Sequence, residues 1–287
     1  MASSPTQERH PARAPDPGPR ALARGPDTGS GRRLEHLARQ LGTGFLFATF
    51  CIGGLFLATV IVPASRWLRS EREHPDLAAQ RLIHHSLRWY VALGTRLGLF
   101  RLSESGTERL GPGAGLIVSN HPTLLDVVFL IARAPQADCI VKHEAWRNPF
   151  LRRIVVSAGY LPNDDGEALV LACVERLRQG RNVILFPEGS RSPERGLRPF
   201  LRGAARVALA SRCPITPVVI RCEPPALKKG QPWWRIPNHR LEFSLAVGEP
   251  FHARDVVDEN LPPAIAARRL TAHLRSWFEA EVDHGHA

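Results

Sequence analysis

An uncharged stretch of 21 residues constrains the fold of this chain most. It covers residues 42–62 and is followed by Pro63. At a rise of about 1.5 Å per residue, a helix of this length can cross a bilayer core of roughly 30 Å. The stretch predicts a membrane-binding helix that ends at Pro63. Arginines on both sides leave open whether it spans the bilayer or dips into one leaflet. A buried core helix and a cleaved signal peptide are the alternatives.

The segments on either side of this stretch differ in character. Residues 1–31 are rich in Pro, Arg, Gly and Ser without apolar periodicity, which predicts a disordered tail. Residues 77–99 place leucines at helical spacing with arginines between them, which predicts an amphipathic helix. His84 and His85 are neighbours in this helix and point about 100° apart, so we interpret them as surface or interfacial histidines.

The charge of the chain points to an anionic partner. Its formal net charge is +11, and only three of its 38 basic residues are lysines. Lipid headgroups, phosphate substrates, an acidic carrier protein or nucleic acid would fit this charge, and so would an arginine-rich coding bias. Five scattered cysteines without a C-x-x-C spacing argue against a disulfide framework or a zinc site. The globular part is therefore expected on the cytoplasmic side of a membrane, and no metal or bound cofactor is implied.

After residue 110 the sequence alternates between short apolar strands and helices. Strands are predicted over residues 116–118, 139–141, 183–186, 217–221 and 241–247. Helices are predicted over residues 122–133, 144–157, 164–180 and 201–210, and over a C-terminal segment striped by Leu270, Leu274, Trp277 and Phe278. This alternation predicts an α/β fold with a mixed sheet flanked by helices.

The first motif that carries chemistry is N-H-P-T-L-L-D over residues 120–126, between a predicted strand and a predicted helix. A neutral imidazole can take the proton of an attacking hydroxyl, and a carboxylate on its other nitrogen fixes the tautomer. His121 and Asp126 can meet in this way only if His121 lies in the loop before the helix. Five residues apart within one helix, they would lie about 140° apart. The alternative is a helix-capping histidine with an unrelated surface aspartate.

The second motif is F-P-E-G-S-R-S over residues 186–192, at the end of another predicted strand. Ligands of open α/β sheets bind beyond the carboxyl ends of the strands. Gly189 permits close backbone approach, and Ser190 offers a hydroxyl. Arg191 presents a planar fork for a phosphate, and Glu188 can accept hydrogen bonds from a polyol. An ordinary Pro-Glu-Gly turn is the alternative.

Together the two motifs resemble signature blocks of the glycerophospholipid acyltransferases, of the 1-acylglycerol-3-phosphate acyltransferase type. That family's first block, N-H-x-x-x-x-D, and third block, F-P-E-G-[TS]-R-[ST], are matched in full, and its fourth block resembles residues 215–220. The resemblance covers roughly residues 105–250. It implies an αβ core, an acyl-CoA or acyl-carrier-protein donor and an N-terminal membrane-binding element. It also implies His121 as the base and Asp126 as its orienter, with Glu188 and Arg191 as acceptor-binding residues.

The second block departs from the family pattern. The family places an arginine at the end of G-x-[IF]-[FI]-x-R, where it helps to hold the acceptor phosphate, and the corresponding stretch here reads G-Y-L-P-N-D. Asn163 or Asp164 stands about where that arginine would be, and we interpret Asp164 as the cap of the following helix. Lys142, Arg152 and Arg153 can compensate, and Lys142 is predicted to bind substrate.

The sequence thus predicts a disordered tail over 1–31, a membrane-anchoring part over 32–104 and an acyltransferase domain over 105–287. The expected partners are membrane lipids and an acyl-CoA or acyl-carrier-protein donor. A lysophosphatidate-type acceptor is favoured, with amino-acid lipids, glycolipids and polyketide-like lipids as alternatives. A hydrolase is disfavoured because the sequence has no G-x-S-x-G motif, and a nucleic-acid binder because it has no recognition motif.

Overall fold

Seven strands form one sheet in the part of the chain that the structure describes. The structure is a computed structural model, and it describes residues 29–68, 74–113, 115–148, 151–163, 166–193, 196–232, 234–235, 237 and 239–284. The strands are β1 (Phe100–Ser105), β2 (Leu116–Ser119), β3 (Ala137–Val141), β4 (Leu161–Pro162), β5 (Asn182–Leu185), β6 (Ile215–Glu223) and β7 (Leu241–Val247).

The order of strands across the sheet is β1-β7-β6-β2-β5-β3-β4. Every neighbouring pair is parallel except β6 and β7, which are antiparallel. The predicted mixed sheet is therefore confirmed. Because β2 to β6 run in the same direction, their carboxyl ends lie at one edge of the sheet, which is where open α/β sheets bind ligands.

Helices cover both faces of the sheet, as predicted. They are α1 (Gly29–Phe56), α2 (Val62–Leu68), α3 (Pro75–Arg96), α4 (Asp126–Arg133), α5 (His143–Arg147), α6 (Arg152–Ser157), α7 (Glu167–Arg178), α8 (Gly203–Ser211) and α9 (Pro263–His284). One apolar core lies under α1, α3, α4 and α6, and it includes Phe129 and Phe243. A second core lies under α7, α8 and α9, on the other face.

The N-terminal apolar helix continues beyond the predicted end. Pro63 lies inside α2, so the prediction that it ends the helix is wrong. A proline has no N–H, and its ring presses on the carbonyl four residues earlier. A π-helical turn over Leu57–Ile61 precedes it, in which the N–H of Val62 donates to the carbonyl of Leu57. This wider turn accommodates the proline without ending the helix.

The predicted amphipathic helix is present as α3, but its two histidines differ. His84 is buried, and its Nδ1 lies 2.7 Å from the carbonyl oxygen of Ile131 in α4. His85 is exposed. The surface interpretation is therefore wrong for His84, because α4 packs over that side of α3.

A buried ionic cluster attaches α3 to the sheet. Arg181 pairs with Asp76 at 2.6 Å and with Asp138 at 2.7 Å. Gln80 donates to Asp138 Oδ1 at 3.1 Å and to the carbonyl of Ala158 at 2.9 Å. Burial raises the pKa of Asp138 to about 6, although the charge of Arg181 lowers it. The cluster joins α3 to the amino-terminal ends of β3 and β5.

Several predicted helix ends differ from the observed ones. The helix predicted over 122–133 begins only at Asp126, because its carboxylate accepts hydrogen bonds from the backbone and hydroxyl of Thr123 and holds the preceding residues in a loop. The helix predicted over 144–157 is two short helices, α5 and α6. They are separated near Asn148, whose side chain accepts a hydrogen bond from the N–H of Leu151.

The predicted limits of the three segments can be compared with the observed elements. β1 crosses the limit between residues 104 and 105, and it pairs with β7 within the sheet. Residues 1–28, most of the predicted tail, lie outside the described residues, and α1 begins at Gly29. Asp164, the predicted helix cap, also lies outside them, and α7 begins at Glu167.

Candidate active site

His121 and Asp126 form a hydrogen-bonded pair at the carboxyl end of β2. His121 lies in the loop before α4, and its Nδ1 is 2.8 Å from Oδ2 of Asp126. The imidazole stacks on Phe186, with ring centroids 4.2 Å apart and an interplanar angle of 22°. The His121 side chain is 20% exposed, whereas that of Asp126 is fully buried. The structure thus brings the predicted pair together, and it leaves Nε2 as the ring nitrogen that can accept a proton.

Thr123 holds the Asp126 carboxylate in place. Its N–H donates to Oδ2 at 2.7 Å, and its hydroxyl donates to Oδ1. Burial raises the pKa of Asp126, while the hydrogen bonds from His121 and Thr123 act in the opposite direction. Thr123 lies within the first motif, but no role was predicted for it from the sequence. A hydroxyl residue three positions before a buried acid is the local signal that could have suggested one.

Asn120 fixes the position of the His121 loop. Its side-chain amide donates to the carbonyl of Ile220 at 2.8 Å, and its side-chain oxygen accepts the N–H of the same residue at 2.8 Å. Asn120 is buried, so both bonds are shielded from water. They join the end of β2 to β6, its neighbour in the sheet. No role was predicted for Asn120 from the sequence, since its partner Ile220 is 100 residues away.

Glu188 connects the two motif loops. Its Oε1 accepts the backbone N–H of His121 at 3.1 Å and the hydroxyl of Ser192 at 2.6 Å, and its Oε2 accepts the N–H of Arg198 at 2.8 Å. Only 5% of the residue is exposed. In this structure the carboxylate therefore positions the His121 loop, and direct binding of an acceptor by Glu188 stays a prediction.

Gly189 and Ser190 form the turn after β5. The φ angle of Gly189 is +63°, and a Cβ atom there would lie 2.8 Å from the Leu201 side chain. The backbone conformation favours glycine, whereas the exposed Leu201 side chain could move aside for a Cβ atom. Ser190 is half-buried beside it. Substrate binding by these two residues stays a prediction.

Arg191 and Lys142 lie at the same edge of the sheet but in different settings. One terminal nitrogen of Arg191 donates to the carbonyls of Leu227 and Lys228, each at 3.0 Å. The guanidinium therefore bridges the loops that follow β5 and β6. Lys142 is exposed directly after β3. Two strand spacings separate β3 from β2, which corresponds to about 10 Å along the edge.

An apolar cavity of about 700 Å³ adjoins the His121 loop. Leu124 and Leu125 of that loop form part of its wall. Most of the remaining walls come from α1, α3, α4 and α6 and are dominated by apolar side chains such as Phe50 and Ile154. A cavity of this size and character accepts an extended hydrocarbon group.

Comparisons with known proteins agree with the motifs and the fold. Residues 101–221 match the protein-family model described as Acyltransferase. The chain is 36% identical over 132 residues to a 1-acyl-sn-glycerol-3-phosphate acyltransferase of Helicobacter pylori, covering 42% of this chain and 55% of that protein. It is 28% identical over 178 residues to the Salmonella typhimurium protein of the same name, covering 59% of this chain and 67% of that protein.

A solved structure shares the fold. The crystal structure of PlsC, the 1-acyl-sn-glycerophosphate (LPA) acyltransferase from Thermotoga maritima, has a TM-score of 0.67 and 19% identity. The alignment covers 89% of this chain and 98% of that one.

Residues 101–221 are thus similar in sequence to the Acyltransferase family, and the chain shares the fold of PlsC. The predicted resemblance to the 1-acyl-sn-glycerol-3-phosphate acyltransferase family is confirmed. The chain spans about half the length of several of the curated relatives that it matches.

Proposed function

We propose that this chain transfers a fatty acyl group from the thioester of acyl-CoA or acyl-carrier protein to the hydroxyl of a lyso-lipid. The observation that carries the proposal is the 2.8 Å contact between His121 Nδ1 and Asp126 Oδ2, inside a domain of this family. The names of the relatives favour a lysophosphatidate-type acceptor. Amino-acid lipids, glycolipids and polyketide-like lipids are the alternative acceptors.

The proposed reaction is a proton-assisted displacement at the thioester carbonyl. Nε2 of His121 takes the proton of the acceptor hydroxyl as its oxygen forms a bond to the carbonyl carbon. Asp126 holds the imidazole in the required tautomer and stabilises the imidazolium that develops. The carbon–sulfur bond of the tetrahedral intermediate then breaks, and His121 returns the proton to the departing thiolate. The products are an ester and a free thiol.

The apolar cavity supports the choice of a fatty acyl group. Leu124 and Leu125 belong both to the cavity wall and to the loop of His121. An acyl chain in this cavity would therefore have its thioester end near the imidazole. Burial of the chain supplies binding free energy in proportion to the apolar area removed from water.

The N-terminal helix supports a membrane location. The helical segment Leu34–Ser65 contains an 18-residue window with a mean hydropathy of 2.4, and only 22% of that window is buried. By length and composition it can cross a bilayer. Large apolar side chains on this segment are exposed, among them Leu41, Phe45 and Ile52. We place this segment in the membrane and the catalytic domain on the cytoplasmic side.

Acyl transfer by the purified full chain in detergent tests the proposal. Labelled acyl-CoA and labelled acyl-carrier protein are each offered with a panel of lyso-acceptors, and the ester product is measured. We expect transfer from at least one donor, and a loss of at least about a hundredfold in turnover for His121→Ala, as is typical for a lost general base. No ester with any acceptor, or full turnover by folded His121→Ala protein, would refute the proposal.

A further inference from the structure

Lysine is confined to one edge of this protein. The chain has 38 basic residues, of which only Lys142, Lys228 and Lys229 are lysines. Lys142 directly follows β3, and the other two lie in the segment that follows β6. The carboxyl ends of β3 and β6 lie at the edge of the sheet that holds His121. A coding bias towards arginine explains why lysine is rare, but it does not explain why all three lysines lie at the edge of the sheet that holds the candidate active site.

The segment over residues 224–232, here named the lysine loop, contacts both motif loops. The carbonyl of Leu227 accepts the N–H of Leu124, in the His121 loop, at 3.2 Å. The same carbonyl and that of Lys228 accept hydrogen bonds from Arg191, each at 3.0 Å. The lysine loop is thus attached to the first and the second motif at once.

The lysine loop has one defined conformation, which packing and hydrogen bonds maintain. Leu227 has a φ angle of +55°, which is unfavourable for a residue with a side chain. It is held there because its side chain is buried in the core and its carbonyl accepts two hydrogen bonds. Gln231 closes the turn. Its N–H donates to the carbonyl of Lys228 at 3.1 Å, and its side-chain oxygen accepts the N–H of Lys228 at 3.2 Å. Backbone strain maintained in this way is typical of ligand-binding loops.

The two lysines directly follow Leu227, the residue that contacts the His121 loop. Lys229 is exposed and Lys228 is half-buried. Lys229 is two residues from Leu227, and two residues span at most about 7 Å. Burial raises the pKa of the Cys222 thiol to about 12; the Asp126 carboxylate adds to this rise and the Lys228 charge opposes it, so both charged groups act on the same thiol. The lysine loop therefore adds positive charge beside the His121–Asp126 pair.

We propose that the lysine loop binds a phosphate group of the substrate, with Lys228 and Lys229 as its ligands and Arg191 as the positioning residue that holds the loop. An ammonium is a compact charge with three donors, which suits a phosphate. The loop would replace the arginine that the second block of the sequence lacks. The identity of the substrate rests on the proposed acyl transfer, and the phosphate belongs either to the acceptor or to the donor.

Kinetics of a charge-removing double variant test the phosphate site. Lys228→Ala/Lys229→Ala should raise the KM of the phosphate-bearing substrate roughly ten- to a hundredfold, the effect of losing charge-assisted contacts, with a smaller change in kcat. Lys228→Arg/Lys229→Arg should restore most of the binding. The matched control is Arg178→Ala/Arg254→Ala, which removes two exposed charges at the opposite edge of the sheet. KM values within twofold of wild type for both substrates would overturn the proposal.

The choice of donor separates the two sources of phosphate. The double variant is compared with wild type using acyl-CoA and an acyl-N-acetylcysteamine thioester, which has no phosphate. A defect that persists with the phosphate-free donor assigns the site to the acceptor's phosphate. A defect that disappears assigns it to the donor's phosphates. Either result supports the lysine loop as a phosphate site.

Binding without turnover separates this proposal from the proposed function. Calorimetric titration measures the affinity of the full chain for glycerol 3-phosphate and for coenzyme A. Weaker binding of one of them by the double variant supports the lysine loop even if no acyl transfer is found, in which case only the proposed function fails. Unchanged affinity for both ligands, in a protein that does transfer acyl groups, would overturn the lysine loop alone.

Arg191→Lys tests the positioning role. The substitution keeps the charge but shortens the group that reaches two loop carbonyls, so the lysine loop should loosen. Trypsin should then cleave after Lys228 or Lys229 several times faster than in wild type, together with a raised KM. A raised KM with unchanged cleavage would show that Arg191 itself binds the phosphate, and it would overturn the positioning role.

Discussion

Asp126→Asn removes the charge of the proposed catalytic pair, His121 and Asp126, and keeps its geometry. The amide oxygen can take the place of Oδ2, where it accepts hydrogen bonds from His121 Nδ1 and from the Thr123 N–H, now 2.8 Å and 2.7 Å long. The amide nitrogen can take the place of Oδ1 and donate to the Thr123 hydroxyl oxygen. The substitution therefore preserves the shape of the loop and removes the negative charge.

The expected loss of rate follows from the distance between the charges. Two unit charges about 4 Å apart in an effective dielectric of 20 interact by about 4 kcal/mol. The His121 imidazolium is only partly formed in the transition state, and 20% of the side chain is exposed, so part of this energy is lost to screening. A loss of about 2–4 kcal/mol corresponds to a fall in kcat of about thirty- to a thousandfold.

Protein stability should not fall with the rate. Burial raises the pKa of Asp126, which means that the fold disfavours its charged form. A neutral amide removes this cost, so the urea unfolding free energy of Asp126→Asn should equal or exceed that of wild type. Turnover is measured on both proteins, and again in a His121→Ala background. A kcat within threefold of wild type, or an equally large effect without His121, would refute the reasoning.

Three further changes give separate predictions. Asp138 should stabilise the fold below about pH 4 and lose that contribution as pH rises to about 6, because its pKa is raised to about 6 in the fold from about 3.9 unfolded. The urea stability of wild type relative to Asp138→Asn should therefore fall by about 3 kcal/mol between pH 4 and 7, and a constant difference would contradict this. Asn120→Ala should cost about 2–5 kcal/mol in urea unfolding, since the buried N–H and carbonyl of Ile220 lose their partner; a loss under about 1 kcal/mol would count against it. Ile52→Asp should deplete the carbonate-resistant membrane fraction through a penalty of about 3 kcal/mol, whereas Leu171→Asp, equally exposed on the other face of the sheet, should not; equal retention would contradict the anchor.

The contact between His121 and Asp126 could be predicted from sequence because its geometry is local. His121 and Asp126 are five positions apart, which permits contact only when a loop precedes the helix, and that is the arrangement observed. β7 was predicted with its observed ends because strict alternation over residues 241–247 reflects one buried and one solvated face. In both cases the spacing of neighbouring residues is sufficient to predict the observed structure.

The partners of most other site residues could not be predicted, because they lie far away in the sequence. Glu188 and Arg191 show the right chemistry for a ligand, but in the fold they bond to residues 67 and 36 positions away. His84 looked like a surface residue because nothing in its own helix predicts that α4 covers it. The helix continues through Pro63 because a π turn precedes it, and the sequence pattern gave no sign of that turn.

The buried carboxylate of Glu188 limits how the two motifs can be exchanged between related proteins. Its three donors come from the His121 loop, from Ser192 in its own motif and from Arg198 further along the same loop. A chimaera that replaced either motif by a sequence of different shape would leave a buried carboxylate short of a partner, which costs more free energy than an exposed mismatch. The two motifs therefore behave as one transplantable unit, which gives a physical reason why either motif alone is a weak signature and the two together are a strong one.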